Sequence, residues 1–379
     1  MSAGGSGGTG MGEKTRRRAG RAARSWLILA VALAGCAAPT TVAPPPGERP
    51  TAAPAPAPAP VPAPVPAPAP AIQLAPERPV VQTRDFAAVV VQPGDTLASL
   101  AATWLGDPAR DWEIAKYNDV SAAVPGQELA IPLRPYRRGG LTPEQYQTVP
   151  VLVYHQIAEK STNKMTVSRE SFEAQMSLLK EKGYRVVTLD QLFEFVEFRG
   201  QLPEKSLVIT IDDGWRSVYD IAFPILKKYG YPATLFVYTQ LINGGTKTLS
   251  WDQLREMTAQ GLDVQCHTLT HRNLALPQGR ETAEEYFEAI RREIDDAARL
   301  IEQNLGRRPK YLAYPYGDTN GLAISLLRKH GYQAAFTVVR EPNPFFTPPF
   351  RLGRSMVYGD FDLARFEKNL VVSERKALR

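Results

Sequence analysis

Ser206-Leu207-Val208-Ile209-Thr210-Ile211-Asp212-Asp213-Gly214 is the stretch whose reading decides the fold. An apolar, β-branched run with no polar alternation reads as a strand buried on both faces, the kind found in parallel sheets. It ends abruptly in two carboxylates and a glycine, where a parallel strand opens into a loop and where α/β folds place their chemistry. Further along stands His267-Thr268-Leu269-Thr270-His271. If that segment is helical, its two imidazoles share a face and can converge on one ion. With one carboxylate the set becomes His-His-Asp, a facial arrangement that suits Zn²⁺ or a similar divalent cation and leaves positions for water. Each piece alone is ambiguous, since an Asp-Asp pair after a strand is often a helix N-cap beside a solvated neighbour. The chain has only four histidines, however, and two of them fall here.

Outward from this stretch, strand-like and helix-like segments alternate. Residues 149–154, 186–188, 207–211, 234–238, 264–266, 311–314 and 334–338 read as strands. Helices are expected over 169–182, capped by Ser168 and stopped by Gly183, and over 219–229, 251–260, 283–304 and 323–330. This alternation predicts an α/β fold on a parallel sheet, and seven or so strands fit a distorted, incomplete (β/α) barrel.

The two motifs, followed in order by Ala313-Tyr314-Pro315-Tyr316-Gly317, resemble the signature motifs of the NodB-type polysaccharide deacetylases, which are metal-dependent carbohydrate esterases. The likeness runs roughly from Val149 to Leu370. It implies the same incomplete barrel and a hydrolase that removes N-acetyl groups from a GlcNAc-containing polysaccharide. It further implies that Asp213, His267 and His271 hold the metal, Zn²⁺ first, with Co²⁺, Ni²⁺ or Fe²⁺ also suited. Asp212 would be the general base, and the backbone N–H of Tyr316 would serve the developing oxyanion. Successive strand residues face opposite ways, which would give the two carboxylates different tasks.

The chain departs from the commonest pattern of that family in two places. Ala313 stands where many relatives carry an arginine that orients the base, and no histidine follows His330 to supply the late acid. Arg354, in Arg351-Leu352-Gly353-Arg354, is a candidate replacement for the arginine, against the plainer reading of a strand-end ion pair. His155, directly after Val151-Leu152-Val153-Tyr154, is the candidate acid or substrate contact, and a Tyr-His at this point is similar to the branch that acts on poly-N-acetylglucosamine. His330 reads as a cation favoured at a helix C-terminus. Cys266 should point away from the site into the core.

At 379 residues the chain exceeds one ordinary domain. Its net charge of +6 gives no reason to expect a nucleic-acid partner, because Arg16, Arg17, Arg18, Arg21 and Arg24 cluster ahead of the apolar run 26–34. That is the layout of a secretory signal, with Met11 a candidate start. Leu33-Ala34-Gly35-Cys36 is similar to a lipobox, so residues 1–35 are expected to be a lipoprotein signal peptide and Cys36 the lipidated residue. The expected location is the bacterial cell envelope, lipid-anchored, at the outer membrane facing the periplasm. Residues 36–85 form an Ala-Pro linker in polyproline II, unable to build a core. With Cys36 and Cys266 the only cysteines, no disulfide framework is expected.

Residues 86–134 read as a compact β-α-α-β module. Gln92-Pro93-Gly94-Asp95-Thr96-Leu97, Asn118 and Pro125-Gly126-Gln127-Glu128-Leu129 give it a resemblance to a LysM domain, which implies peptidoglycan or a related glycan as its partner. Trp104 and Trp112 are expected in its core. A polar connector, 135–148, leads to the deacetylase domain, 149–379. Two function classes follow: an exported N-deacetylase acting on peptidoglycan or a poly-N-acetylglucosamine-type exopolysaccharide, or a catalytically inactive peptidoglycan-binding lipoprotein. The intact Asp212, Asp213, His267 and His271 favour the enzyme.

Overall fold

The computed structural model describes residues 81–134, 138–141 and 145–375. The expected signal segment, Cys36 and nearly all of the Ala-Pro linker lie outside the described residues.

The first unit along the chain is β1 (Phe86–Val90), α1 (Leu97–Leu105), α2 (Asp111–Asn118) and β2 (Glu128–Pro132). The strands pair antiparallel, with Phe86 opposite Pro132. α1 begins where Thr96 and Ser99 satisfy each other's backbone N–H groups in a capping box, and it ends at Gly106 in a left-handed conformation. Val89, Leu100, Ile114, Leu129 and Ile131 form the small core. Asn118 ties the last turn of α2 to β2, donating to the carbonyls of Ile114 and Ala130 and accepting from the Ala130 N–H. Trp104 packs on this core as expected. Trp112 does not: it is half-buried and lines a cleft of about 440 Å³ together with Arg185, Gln191 and Phe198.

The main sheet is built from β3 (Val151–Tyr154), β4 (Arg185–Val186), β5 (Ser206–Asp213), β6 (Thr234–Val237), β7 (Asp263–Cys266), β8 (Tyr311–Ala313), β9 (Ala334–Phe336) and β10 (Ser355–Met356). Every pairing in it is parallel, in the order β9-β8-β7-β6-β5-β3-β10, with β4 also on β5. The sheet curls into a half-barrel. Leu352 bridges to Phe336 on one edge while Ser355 and Met356 pair with Leu152 and Val153 on the other, so one short segment spans the gap. α3 (Arg169–Glu181), α4 (Leu189–Val196), α5 (Phe223–Tyr229), α6 (Trp251–Ala259), α7 (Ala283–Leu305) and α8 (Gly321–Lys329) lie between the strands in sequence.

β5 shows why the run at 206–213 had to be apolar on both faces. Leu207, Ile209 and Ile211 join the core that includes Phe172 and Met176 of α3 and Leu226 of α5, whereas Val208 joins Phe236, Tyr311, Phe336 and Leu352. Burying each such aliphatic side chain contributes about 1.5–3 kcal/mol. Asp212 lies opposite Phe236 and Asp213 opposite Val237, with Val237 level with Cys266, so the carboxyl ends of the central strands stand side by side.

Two boundaries differ from expectation. α4 follows β4 directly, begun by a Thr188–Gln191 capping box, where no helix was expected. The connector ends in a strand, Tyr146–Val149, buried throughout and paired antiparallel with Asn343–Pro344 and Ser373–Glu374. Its polar residues Gln147 and Thr148 are buried because Gln147 donates to the Pro203 carbonyl and Thr148 to that of Val371. Among the described residues no helix is long and apolar enough to cross a membrane.

Candidate active site

Alternation along β5 points Asp212 the same way as Val208 and Thr210, into the sheet's concave side. There it is 2% exposed and meets a fully buried arginine. Arg354 Nη1 and Nη2 donate to Asp212 Oδ1 and Oδ2, both at 2.8 Å, while its Nε donates to the Thr337 carbonyl at 2.9 Å. Its guanidinium also lies over the Phe236 ring, 5.4 Å from the centroid. Burial alone would push the Asp212 carboxyl up. The Arg354 guanidinium, bonded to both oxygens, outweighs burial and holds the group below the usual carboxylate value.

By simple alternation Asp213 would face the helices. Instead both carboxylates approach one imidazole: Asp212 Oδ2 lies 3.9 Å and Asp213 Oδ1 3.8 Å from His267 Nε2. The correction comes from the backbone, because Asp213 is left-handed (φ 80°) and abandons strand geometry at its last residue. Trp215 Nε1 donates to Asp213 Oδ2 at 2.8 Å, leaving Oδ1 to face the histidines.

The segment 267–271 is not helical; it turns without a regular element. His267 continues β7, its N–H donating to the Val237 carbonyl. Its Nδ1 lies 2.7 Å from the Ala313 carbonyl, which can only accept, so Nδ1 carries the proton and Nε2 presents a lone pair. Burial pushes this imidazole down to about 4, against the pull of Asp212 and Asp213. His271 is brought round by left-handed conformations at Thr268 (φ 74°) and at itself (φ 66°), and Thr268 Oγ1 accepts its N–H. His271 Nε2 then lies 3.7 Å from Asp213 Oδ1. One ligand atom from each of Asp213, His267 and His271 falls within 4.8 Å of the others, a donor set of one carboxylate and two imidazoles that fits a single divalent cation.

Tyr316 is 63% exposed and left-handed (φ 64°), with its ring edge-on to His271 at 4.9 Å. The Tyr238 ring lies 5.2 Å from the same imidazole. Burial, Asp213 and Tyr316 raise the Tyr238 phenol, so it stays protonated. Non-glycine residues with positive φ are uncommon, cost about 1–3 kcal/mol each and cluster at functional sites. Asp213, Thr268, His271 and Tyr316 all sit here.

His155 follows β3 immediately, half-buried and near enough to Asp212 to help lower its carboxyl. The two histidines and Cys266 are neighbours in sequence only in part. Cys266 turns to the helix-facing core, where burial pushes its thiol up to about 11. His330 caps α8 and pairs with Asp295 at 3.1 Å, apart from the site. Trp215 and Tyr238 were not expected. The position of Trp215 directly after Asp-Asp-Gly and of Tyr238 at the end of the neighbouring strand were the signals available.

Residues 199–335 match the family profile described as polysaccharide deacetylase. A poly-beta-1,6-N-acetyl-D-glucosamine N-deacetylase of Staphylococcus epidermidis is 31% identical over 208 residues, covering 53% of this chain and 71% of that enzyme. The chain belongs to the polysaccharide deacetylase family. Bacillus subtilis YxkH is likewise 31% identical over 196 residues, 51% of this chain and 66% of YxkH. Among solved structures, IcaB from Ammonifex degensii superposes with a TM-score of 0.53 and 28% identity, covering 59% of this chain and 97% of that one. In this polysaccharide deacetylase Asp212, Asp213, His267, His271 and Tyr316 fall inside the matched residues, while His155 and Arg354 fall outside them.

Proposed function

We propose that the chain is a metal-dependent N-deacetylase of a GlcNAc-containing polysaccharide, with a β-1,6-linked poly-N-acetylglucosamine ahead of peptidoglycan. The observation that carries the reading is the convergence of Asp213, His267 and His271 beside an Asp212 carboxylate gripped at both oxygens by buried Arg354. The polymer preference is supported by the name of the Staphylococcus epidermidis relative and by the Tyr154-His155 pair.

A divalent cation held by Asp213, His267 and His271, Zn²⁺ by the softness of two imidazoles, would supply a Lewis acid that acidifies water and polarises the acetyl carbonyl. Asp212 accepts the proton of the attacking water, and Arg354 keeps that base ionised and aimed. The Tyr316 N–H donates to the oxyanion of the tetrahedral intermediate. His155 returns a proton to the departing amine, which leaves as the glucosamine nitrogen while acetate is released. Trp215 fixes which oxygen of Asp213 is offered.

The unit at 86–132 would serve as a LysM-type hold on peptidoglycan, and lipid on Cys36 would keep the enzyme at the outer membrane facing the periplasm, with the Ala-Pro linker as spacer. The deciding experiment measures acetate release from β-1,6-linked GlcNAc oligomers, chitooligosaccharides and peptidoglycan, with and without a chelator. Chelator-sensitive release, fastest on the β-1,6 oligomers, is the expected result. No release from any of the three, with retained binding to peptidoglycan, would leave an inactive wall-binding lipoprotein.

A further inference from the structure

We propose that Glu293 of α7 is a positioning residue that holds the histidine loop in ligand-ready shape before any cation arrives. The proposal rests on reading His267 and His271 as cation ligands and adds a residue outside the sequence motifs. α7 buries Ile290, Ile294, Ala297, Ala298 and Ile301 along one face, and Glu293 stands within that stripe at 5% exposure. A carboxylate in such a stripe is costly unless its oxygens are satisfied.

Among the described residues, its hydrogen bonds come from the loop between the two histidines. Glu293 Oε2 accepts the N–H groups of Leu269 at 3.0 Å and Thr270 at 2.9 Å, and Oε1 accepts the Thr270 hydroxyl at 2.7 Å. The loop's other ties involve no charged side chain: Thr239 and Gln240 donate to the carbonyls of Thr268 and Leu269, the Thr268 N–H reaches Cys266 Sγ at 3.3 Å, and Thr268 Oγ1 accepts from His271. Thr268 and His271 are both left-handed, a strain that persists only where the surroundings over-determine it. Three hydrogen bonds to one buried carboxylate group supply that determination. Arg272 lies within reach of the Glu293 charge but spends its own guanidinium on Glu281, so the loop amides are the carboxylate's direct partners.

The test uses the full chain with Glu293→Gln, which removes the charge and one acceptor oxygen, and Ile290→Val as a control on the same helix face. Two quantities are read: the Zn²⁺ dissociation constant, by competition with a chromophoric chelator, and amide hydrogen exchange at Leu269 and Thr270 in the metal-free protein. Glu293→Gln should weaken Zn²⁺ binding by about 10–100-fold and speed exchange of both amides, while Ile290→Val lowers the Tm and moves neither. Zn²⁺ binding no weaker than in Ile290→Val, or unchanged exchange at both amides, would overturn the proposal. If the native chain binds no Zn²⁺ but Glu293→Gln still speeds exchange, the clamp on the loop stands and the cation reading falls. Should Glu293→Gln not fold, Thr270→Val removes the Oε1 contact alone and should weaken Zn²⁺ binding by about threefold to tenfold.

Discussion

A base that works inside a curled sheet needs a counter-charge beside it, and that counter-charge decides how strong a base it can be. In the proposed mechanism Arg354 does both for Asp212, since its guanidinium lowers the proton affinity of this buried carboxyl. Replacing Arg354 by Met removes the main opposition to burial, so the acidic limb of kcat/KM should move up by about 1–3 pH units. Breaking a buried pair should also cost about 3–5 kcal/mol of stability. A pH–rate profile measures the first effect and denaturant unfolding the second; an unmoved limb would remove Arg354 from the chemistry. His155→Ala should lower kcat by about 10²–10⁴-fold, the ordinary worth of a positioned acid, while metal content measured on the purified variant stays unchanged. The residues of this site differ in how plainly the sequence displayed them. Asp212, Asp213, His267 and His271 sit in short motifs that stand out by residue type and spacing. Arg354 is 142 residues from Asp212, and nothing local sets it apart from a surface arginine. Glu293 hides in a helix rich in carboxylates, where only its phase with Ile290, Ile294 and Ala297 marks it as buried.

At the scale of elements, the parallel sheet and its helices were legible because apolar runs and helical periodicity extend over many residues. Shorter pieces were not. α4 has only eight residues and abuts β4, so a strand reading of 186–188 ran over its capping box. The histidine segment has the spacing of a helix face, yet its convergence is made by left-handed turns, which residue types such as Thr and His do not announce. The turn after β8 carries the same kind of information. Gly317 is left-handed (φ 80°), and a Cβ there would run into the backbone and side chain of Val338. Gly317→Ala should therefore displace the turn that carries Tyr316, costing about 1–3 kcal/mol. Thermal denaturation should show that loss, and acetate release should fall while Zn²⁺ affinity holds, because the three proposed ligands lie on other segments. Equal loss of both would mean that the turn supports the whole site and not the oxyanion position alone.

For the molecule as a whole, the same buried groups set its response to acid. His267 is held neutral in the fold, titrating at about 4 where an unfolded histidine titrates near 6.5. The unfolded chain therefore binds a proton that the native state refuses. The stability this group contributes is fully present above pH 6.5 and is lost as pH falls through 6.5 toward about 4, on the order of 3 kcal/mol at ~1.4 kcal/mol per pH unit. Asp212, also lowered, acts in the same direction, its share disappearing below the ordinary carboxylate value. The metal-free protein should show a Tm nearly level above pH 7 and falling steadily from pH 6.5 to 4. A cation that binds only the native, deprotonated ligands adds to native stability by mass action, so Zn²⁺ should carry the falling limb to lower pH. His267→Gln should flatten the metal-free curve over that window and abolish the Zn²⁺ effect, since the depressed imidazole would be gone. A native chain whose metal-free Tm stays level from pH 7 to 4.5 would mean that His267 is free to take its proton, and the lone pair at Nε2 would then not be the one the site depends on.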